Sequence, residues 1–251
     1  MTAVKVMQPL TAPVEDYLKA IFEIESAGAA DPERATVAGT NEIAQTLGIA
    51  PASVTGMLRR LAELGLISYE RYRGVRLSDA GRKAALRTIR RHRVIEAYLT
   101  KALGYPWDRV HDEAERLEHA ASDDLIDRMA AAIGEPATDP HGAPIPTREG
   151  TVEAPSLLAL VNAPVGTLVR VRRVGDRDPE RLRYLAQLGI TPGADVRVVE
   201  RAPFGGPMTL RIVREGALRG GGRGARGADR ECAIGPALAA DVFVETRRGR
   251  S

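Results

Sequence analysis

The stretch TNEIAQTLGIAPASVTGMLRRLAELGLISYERYRGVRL, residues 40–77, decides the fold of the first part of the chain. A short amphipathic segment leads into a tight turn at residues 48–50, and Pro51 then opens a second helix that Gly65 closes. Two short β-patterned runs follow, at 66–70 and 75–77, around a turn at Arg73-Gly74. Two helices joined by a tight turn and followed by a hairpin predict a winged helix-turn-helix.

The charge around this motif indicates a polyanionic partner. Residues 51–93 contain eleven Lys or Arg and three Asp or Glu, a net charge of +8. A helix fits the major groove of B-form DNA, small residues at its start allow close approach, and arginines nearby can reach phosphates. The alternative is a generic three-helix bundle with a solvated charged face. We predict DNA contacts by Pro51, Ser53, Thr55, Arg59, Arg60, Arg71, Arg73 and Arg76.

Outside this motif the chain changes from helical to β-rich. Helices are predicted at 13–26, 80–103, 106–121 and 122–133, with Thr40-Asn41-Glu42 and Asp79 as N-caps of the helices that they open. Residues 134–154 have the Pro and Gly content of a linker. Strands at 167–173, 195–200, 208–213 and 241–245, with a helix at 179–188 among them, predict a small barrel. The Gly/Arg-rich run 216–227 predicts a flexible loop.

Composition excludes several classes of protein. The chain has 251 residues, a formal net charge of +3, and Cys232 as its single cysteine. One cysteine permits neither an internal disulfide nor a Cys-rich zinc finger, and it favours a reducing compartment. The sequence has no apolar stretch of membrane-spanning length, and its first ten residues lack a secretory signal pattern. These features predict a cytoplasmic protein.

A second charged segment indicates a cation site. Residues 108–128 contain eight acidic and three basic residues, a net charge of −5. In this segment His111, Glu115, Glu118 and His119 fall on one face of the predicted helix, and upstream His92 and Glu96 are spaced i, i+4. Imidazole and carboxylate are ligands of divalent first-row metals, and a bound cation offsets the repulsion between carboxylates. Solvated helix faces and a two-metal hydrolase are the alternatives, but the sequence offers no separate nucleophile motif.

At this point the chain resembles the diphtheria toxin repressor family of metal-activated transcription repressors. The resemblance covers nearly the whole chain, and its motifs occur in the family's order: 15–18 (EDYL), 53–55 (SVT), 91–93 (RHR) with Glu96, 110–114 (VHDEA), 118–119 (EH), 140–142 (PHG) and 144–146 (PIP). It implies an α+β protein with a winged helix-turn-helix (1–78), a helical metal-binding and dimerisation domain (79–140), a Pro-rich linker (141–153) and an SH3-like, FeoA-type domain (154–251). The resemblance also implies a homodimer that binds a palindromic, double-stranded operator. It implies no enzymatic activity, no small organic substrate and no association with a membrane.

The resemblance also implies two metal ions per subunit. The primary site would consist of Asp16, Glu115, Glu118 and His119. The ancillary site would consist of His92, Glu96 and His111, completed from the SH3-like domain by Asp176, with Asp178 and Glu180 as less favoured candidates.

Two positions discriminate between metals. Iron-type members carry Met where Asp16 stands and Cys where Glu115 stands, whereas hard oxygen ligands suit Mn(II). The chain therefore resembles the manganese-responsive branch. Short manganese-type members carry a metal-bridging Glu where Lys19 stands, and a protonated lysine cannot ligate, so two separate sites are expected here instead of a bridged pair.

Several alternatives stay open on sequence alone. An Fe(II)-dependent repressor of the same family is the nearest, followed by the two-metal hydrolase and by a constitutive repressor whose acidic cluster is structural. The SH3-like domain either docks on the helical core through the ancillary site or is an independent, tethered module that binds a peptide. The predicted regulatory targets are genes of metal uptake or homeostasis.

Overall fold

A computed structural model describes residues 10–30, 37–70, 74–153, 155–213 and 230–247 of the chain. Arg71, Arg73 and the Gly/Arg-rich run 216–227 lie outside the described residues. The chain divides into two compact units. The first comprises residues 1–92, 116–123 and 146–153, and the second comprises residues 93–115, 124–145 and 154–251.

The first unit contains a winged helix-turn-helix. Its helices are α1 (Ala12–Ala30), α2 (Thr40–Leu47) and α3 (Pro51–Glu63), followed by β1 (Ile67–Glu70) and β2 (Gly74–Leu77). The two strands pair antiparallel, and Ala38 adds an isolated bridge to Val75. Helix α4 (Asp79–Leu103) then begins, and its part up to His92 belongs to this unit.

The core of the first unit joins all its elements. Leu18 and Ile21 of α1, Ile43 of α2 and Leu58 of α3 are fully buried in one cluster. The turn between α2 and α3 depends on Gly48, which adopts a left-handed φ of 65° and donates its N–H to the last carbonyls of α2. Because α1 and α3 share this core, the position of α1 is mechanically linked to that of the helix predicted to enter DNA.

The helical part of the second unit contains the end of α4, α5 (Val110–Leu117) as far as Glu115, and α6 (Asp123–Ala132) from Asp124 onward. The predicted helix 106–121 was too long. The N–H groups of Ala120 and Ala121 both return to the Leu117 carbonyl, so the chain turns after α5. The prediction that His111, Glu115, Glu118 and His119 share one helical face was therefore wrong, because Glu118 and His119 follow the helix.

The rest of the second unit is a six-stranded antiparallel sheet in the order β3-β8-β4-β5-β6-β7. Its strands are β3 (Leu158–Ala159), β4 (Leu168–Val174), β5 (Asp195–Arg201), β6 (Met208–Val213), β7 (Arg230–Ile234) and β8 (Val242–Thr246). The helices α7 (Pro179–Leu188) and α8 (Pro236–Ala240) and a short 3₁₀ helix (Leu160–Asn162) accompany them. The inward residues of these elements form one apolar core around Val169, Val171 and Leu185, the interior of the small SH3-like barrel.

Some local predictions were wrong. Gly39, which makes no side-chain bond, is the N-cap of α2, and Ser78 Oγ instead of Asp79 accepts an N–H at the start of α4, from Gly81. The elements β3, β7 and α8 were not predicted. Among the described residues, none of the helices is both long and apolar enough to cross a membrane.

Candidate metal sites and nucleic-acid interface

Three predicted ligands of the primary site meet in the first unit. Asp16 lies on α1, while Glu118 and His119 lie in the turn after α5, and one ligand atom from each falls within 4.8 Å of the others. His119 Nε2 is 2.8 Å from Asp16 Oδ1 and 3.5 Å from Glu118 Oε1. The group offers one imidazole nitrogen and carboxylate oxygens, the donor set that suits Mn(II) or Fe(II).

Glu15 orients the imidazole of this cluster. Its Oε2 lies 2.7 Å from His119 Nδ1, and Arg91 Nη1 donates to its Oε1 at 3.2 Å. A ring nitrogen bonded to a carboxylate leaves the other nitrogen directed at the ligand position, as in other metal sites. Burial favours the neutral imidazole, but the Glu15 hydrogen bond and the charges of Asp16 and Glu118 outweigh it and raise the pKa of His119.

Lys19 carries the positive charge next to Glu118. Its Nζ donates to Glu118 Oε1 at 3.2 Å and Oε2 at 3.0 Å, and lies 3.2 Å from His92 Nδ1. His92 Nδ1 in turn lies 2.6 Å from Glu118 Oε2. The Glu118 side chain is 0% exposed, so its charge is balanced by groups of the protein and not by water.

Glu115, the fourth predicted primary ligand, lies on α5 in the second unit. There its Oε1 is 3.8 Å from Nε2 of His111, one helical turn earlier. Its membership of the primary site stays a prediction, as does the membership of His92 in the ancillary site.

The other ancillary residues meet in the second unit. Glu96 on α4, His111 on α5 and Asp176 after β4 each bring a ligand atom within 4.8 Å of the others. His111 Nδ1 lies 3.5 Å from Glu96 Oε1. Asp178, a less favoured candidate, caps α7 instead, because its Oδ1 accepts the N–H groups of Glu180 and Arg181.

Sequence analysis missed a further group in the same unit. Glu96, Asp139 and His141 also bring ligand atoms within 4.8 Å of one another, and all three residues are buried. The residues Asp139-Pro140-His141-Gly142 were read as part of a linker because of their Pro and Gly neighbours. Asp and His two residues apart in such a turn were the signal that could have identified them.

Six of the eight predicted DNA-contacting residues belong to the described part of the chain, and they lie on the solvent-facing side of the helix-turn-helix. Pro51, Ser53, Arg59 and Arg60 on α3 are exposed, and Thr55 is half-buried. Arg76 on β2 is exposed as well. The buried face of α3, with Val54, Leu58 and Leu61, points into the core, so the helix presents its basic face outward.

Comparison with known families covers most of the chain. Residues 9–75 match the family described as "Iron dependent repressor, N-terminal DNA binding domain", and residues 78–147 match "Iron dependent repressor, metal binding and dimerisation domain". Residues 158–246 match the FeoA domain.

Individual relatives agree with these matches. The iron-dependent repressor IdeR of Mycobacterium tuberculosis is 32% identical over 212 residues, which cover 80% of this chain and 89% of that protein. Among solved structures, a manganese-dependent transcriptional repressor in complex with manganese is 36% identical, with a TM-score of 0.79 over 93% of this chain and 100% of that chain. The manganese regulator SloR is 26% identical, with a TM-score of 0.71 over 96% of this chain and 100% of that chain. The chain therefore belongs to the diphtheria toxin repressor and iron-dependent repressor family of metal-dependent, DNA-binding transcriptional repressors.

Proposed function

We propose that this family member responds to Mn(II), binds a palindromic operator as a homodimer in the cytoplasm, and represses genes of metal uptake or homeostasis. The single observation that carries the choice of Mn(II) over Fe(II) is that the cluster of Asp16, Glu118 and His119 offers oxygen and imidazole donors and no sulfur donor of the iron-type members. Mn(II) sits lowest in the affinity order of the divalent first-row metals, and oxygen-rich sites suit it best. The manganese-dependent repressor that is 36% identical supports the same choice.

The residues present fit a metal ion. The His119 ring is held by Glu15 on one nitrogen and directs the other toward Asp16 and Glu118. When bound, the divalent cation supplies the positive charge that offsets the repulsion between the two carboxylates. The ligands come from two segments of the chain, because Asp16 belongs to α1 and the other two ligands belong to the turn at 118–119.

Coordination by these residues would fix α1 against the 118–119 turn inside the first unit. Helix α1 shares its core with α3, where Leu18 and Ile21 pack in one cluster with Leu58. A constraint on α1 therefore restricts the orientation of α3, the helix with the exposed Arg59 and Arg60. Metal binding and DNA binding are coupled if the DNA-competent orientation binds the metal better than the others do.

Lys19 supports one ion at this cluster in place of a closely bridged pair. Its ammonium group lies within hydrogen-bonding distance of Glu118 and His92, the two side chains that a second cation there would share. We infer that the lysine is a tethered substitute for that cation. The second ion per subunit is proposed at the ancillary cluster of Glu96, His111 and Asp176.

The test is DNA binding with different metals in parallel. A labelled duplex selected from a random pool in Mn(II) is titrated with the purified chain in EDTA, Mn(II), Fe(II) and Zn(II), and anisotropy is measured. We expect binding in Mn(II), none in EDTA, and a large loss of metal-dependent affinity in Asp16→Ala but not in Asp124→Ala, which alters an exposed acid. Equal DNA binding in EDTA would refute control by a metal ion. DNA binding in Fe(II) alone, at realistic concentrations, would assign Fe(II) and not Mn(II) as the activating metal.

A further inference from the structure

A buried carboxylate ties the wing of the first unit to α1. The wing consists of β1 and β2, the hairpin that carries Arg76. We propose that Glu25 links the wing to α1, so that a metal ion bound at Asp16 positions the wing on the DNA backbone as well as α3. The inference rests on the proposed function, because it concerns how the proposed ion acts on DNA binding. Glu25 itself belongs neither to the predicted metal ligands nor to the predicted DNA contacts.

Glu25 completes the outer edge of β2. The N–H groups of a strand alternate in direction, so those of Val75 and Leu77 point to the same edge. The N–H of Val75 donates to the carbonyl of Ala38 at 3.0 Å, in an isolated bridge. The N–H of Leu77 instead donates to Glu25 Oε1 at 2.8 Å. A side chain of α1 therefore takes the place of the acceptor that a neighbouring strand would supply.

The second carboxylate oxygen of Glu25 binds the start of α4. Arg82 Nη2 lies 2.5 Å from Glu25 Oε2, and the guanidinium carbon of Arg82 lies 5.4 Å from the centre of the Phe22 ring. Arg82 thus contacts two side chains of α1 that are three positions apart and lie on one face of the helix. The Glu25 side chain is 8% exposed, so protein donors and not water surround its charge. Both oxygens are occupied, which fixes the orientation of the carboxylate.

The groups that Glu25 binds belong to the tightly packed base of the wing. Ser78 Oγ donates to the carbonyl of Gly65 at 2.7 Å and accepts the N–H of Gly81 at 3.1 Å. A Cβ on Gly81 would lie 1.9 Å from the carbonyl oxygen of Leu66, so the start of α4 packs directly against the residue before β1. Close packing of this kind leaves the start of α4 no room to move independently of the hairpin. A shift of the Glu25 carboxylate is therefore expected to move the whole wing.

Helix α1 carries the metal ligand and the wing acceptor on opposite sides. Glu25 follows Asp16 by nine positions, which turn a helix by about 900° and advance it by about 13 Å. Between them Leu18 and Ile21 are 0% exposed, so the helix is anchored in the core along this length. Fixing Asp16 against the 118–119 turn therefore also fixes the position of the Glu25 carboxylate. The alternative is a purely structural role, in which loss of Glu25 lowers stability without a selective effect on the wing.

A double-mutant cycle on DNA affinity separates these roles. The salt dependence of binding to the selected duplex is measured in saturating Mn(II) for wild type, Glu25→Met, Arg76→Ala and the double variant. In the wild-type background Arg76→Ala should reduce the slope of log affinity against log salt by about one, and in Glu25→Met it should leave the slope unchanged, because the wing is no longer held against the phosphates. Arg60→Ala, on α3, is the control and should reduce the slope by about one in both backgrounds. An effect of Arg76→Ala that is equal in both backgrounds would overturn the proposal.

Hydrogen exchange of single amides, followed by NMR, keeps the proposal testable without substituting Glu25. In wild type without DNA, Mn(II) should slow exchange of the Leu77 amide by roughly fivefold or more beyond its effect on the Ser78 amide, whose acceptor is the Leu66 carbonyl at the base of the hairpin. Asp16→Ala should abolish this difference.

The two proposals fail in distinguishable ways. Equal exchange of the Leu77 amide in Mn(II) and in EDTA, in protein whose DNA binding requires Mn(II), would overturn the link through Glu25. Equal DNA binding in Mn(II) and in EDTA would refute the proposed function instead, and the salt-dependence cycle would still decide whether Glu25 positions the wing.

Discussion

Lys19→Met removes the ammonium group that balances Glu118 and keeps a side chain of similar length. In the structure the ammonium donates to both carboxylate oxygens, at 3.2 and 3.0 Å. The Lys19 side chain is 11% exposed and that of Glu118 is 0% exposed. The substitution therefore leaves a carboxylate buried beside His92 without its fixed cation.

The expected cost follows from this burial. Removing one partner of a buried ion pair costs about 3–5 kcal/mol, because the remaining charge is uncompensated. At about 2–4 °C per kcal/mol for a protein of this size, the melting temperature should fall by roughly 6–20 °C. A divalent ion at Asp16, Glu118 and His119 supplies part of the lost charge, so Mn(II) should stabilise the variant more than it stabilises the wild type.

The assay is thermal unfolding followed by circular dichroism, in EDTA and in saturating Mn(II). Lys101→Met is the matched control, because Lys101 is an exposed lysine in the last turn of α4. One result would show that Lys19 is not the counter-charge of Glu118 and would refute the reasoning. In that result the two variants melt at the same temperature in EDTA, and Mn(II) raises both melting temperatures by the same amount.

Three further predictions concern the DNA face, the metal site and the barrel. Arg60→Ala should weaken DNA binding across sequences and reduce the slope of log affinity against log salt by about one, measured by anisotropy; an unchanged slope would remove Arg60 from the phosphate contacts. Glu15→Gln should weaken Mn(II) binding roughly 10- to 100-fold in calorimetry, because His119 loses its orienting carboxylate, and unaltered affinity would speak against that role. Arg170, by a hydrogen bond, holds the pKa of Asp195 below its usual range, so Asp195 adds stability above the ordinary aspartate pKa and loses it as pH falls through the lowered one. Asp195→Asn should therefore melt at a lower temperature than wild type at neutral pH, and this difference in melting temperature should disappear in acid. A difference that does not change with pH would contradict this.

Local patterns predicted the DNA-binding unit well. The spacing in α3 predicts a buried stripe of Val54, Met57, Leu58, Leu61 and Leu64, and it depends only on near neighbours in sequence, as does the turn glycine at position 48. The structure buries Val54, Leu58 and Leu61 and places Gly48 in the turn, but Met57 is half-buried and Leu64, at the end of the helix, is 53% exposed. The short strands β3 and β7 were not predicted because each follows a segment rich in Pro or Gly and shows little alternation of apolar and polar residues.

The metal clusters form through contacts between residues that are distant in sequence, which local patterns do not reveal. Glu118 and His119 were identified through a shared helical face, yet they lie in a turn and meet Asp16 through tertiary contacts. Lys19 was noticed as a departure from the family pattern, but its ion pair with Glu118 spans 99 positions in sequence. Asp139 and His141 join Glu96 from more than 40 positions away, a pairing that no periodicity reports.

We propose that the ion at Asp16, Glu118 and His119 and the operator DNA stabilise the same arrangement of the first unit. The most direct measurement is the Mn(II) affinity of the full-length chain with and without the selected duplex, in wild type and in Asp16→Ala. Because coupling is reciprocal, DNA should tighten Mn(II) binding by the same factor by which Mn(II) tightens DNA binding, roughly 5- to 150-fold, and Asp16→Ala should abolish the effect. A wild-type Mn(II) affinity that does not change when DNA is added would contradict the claim.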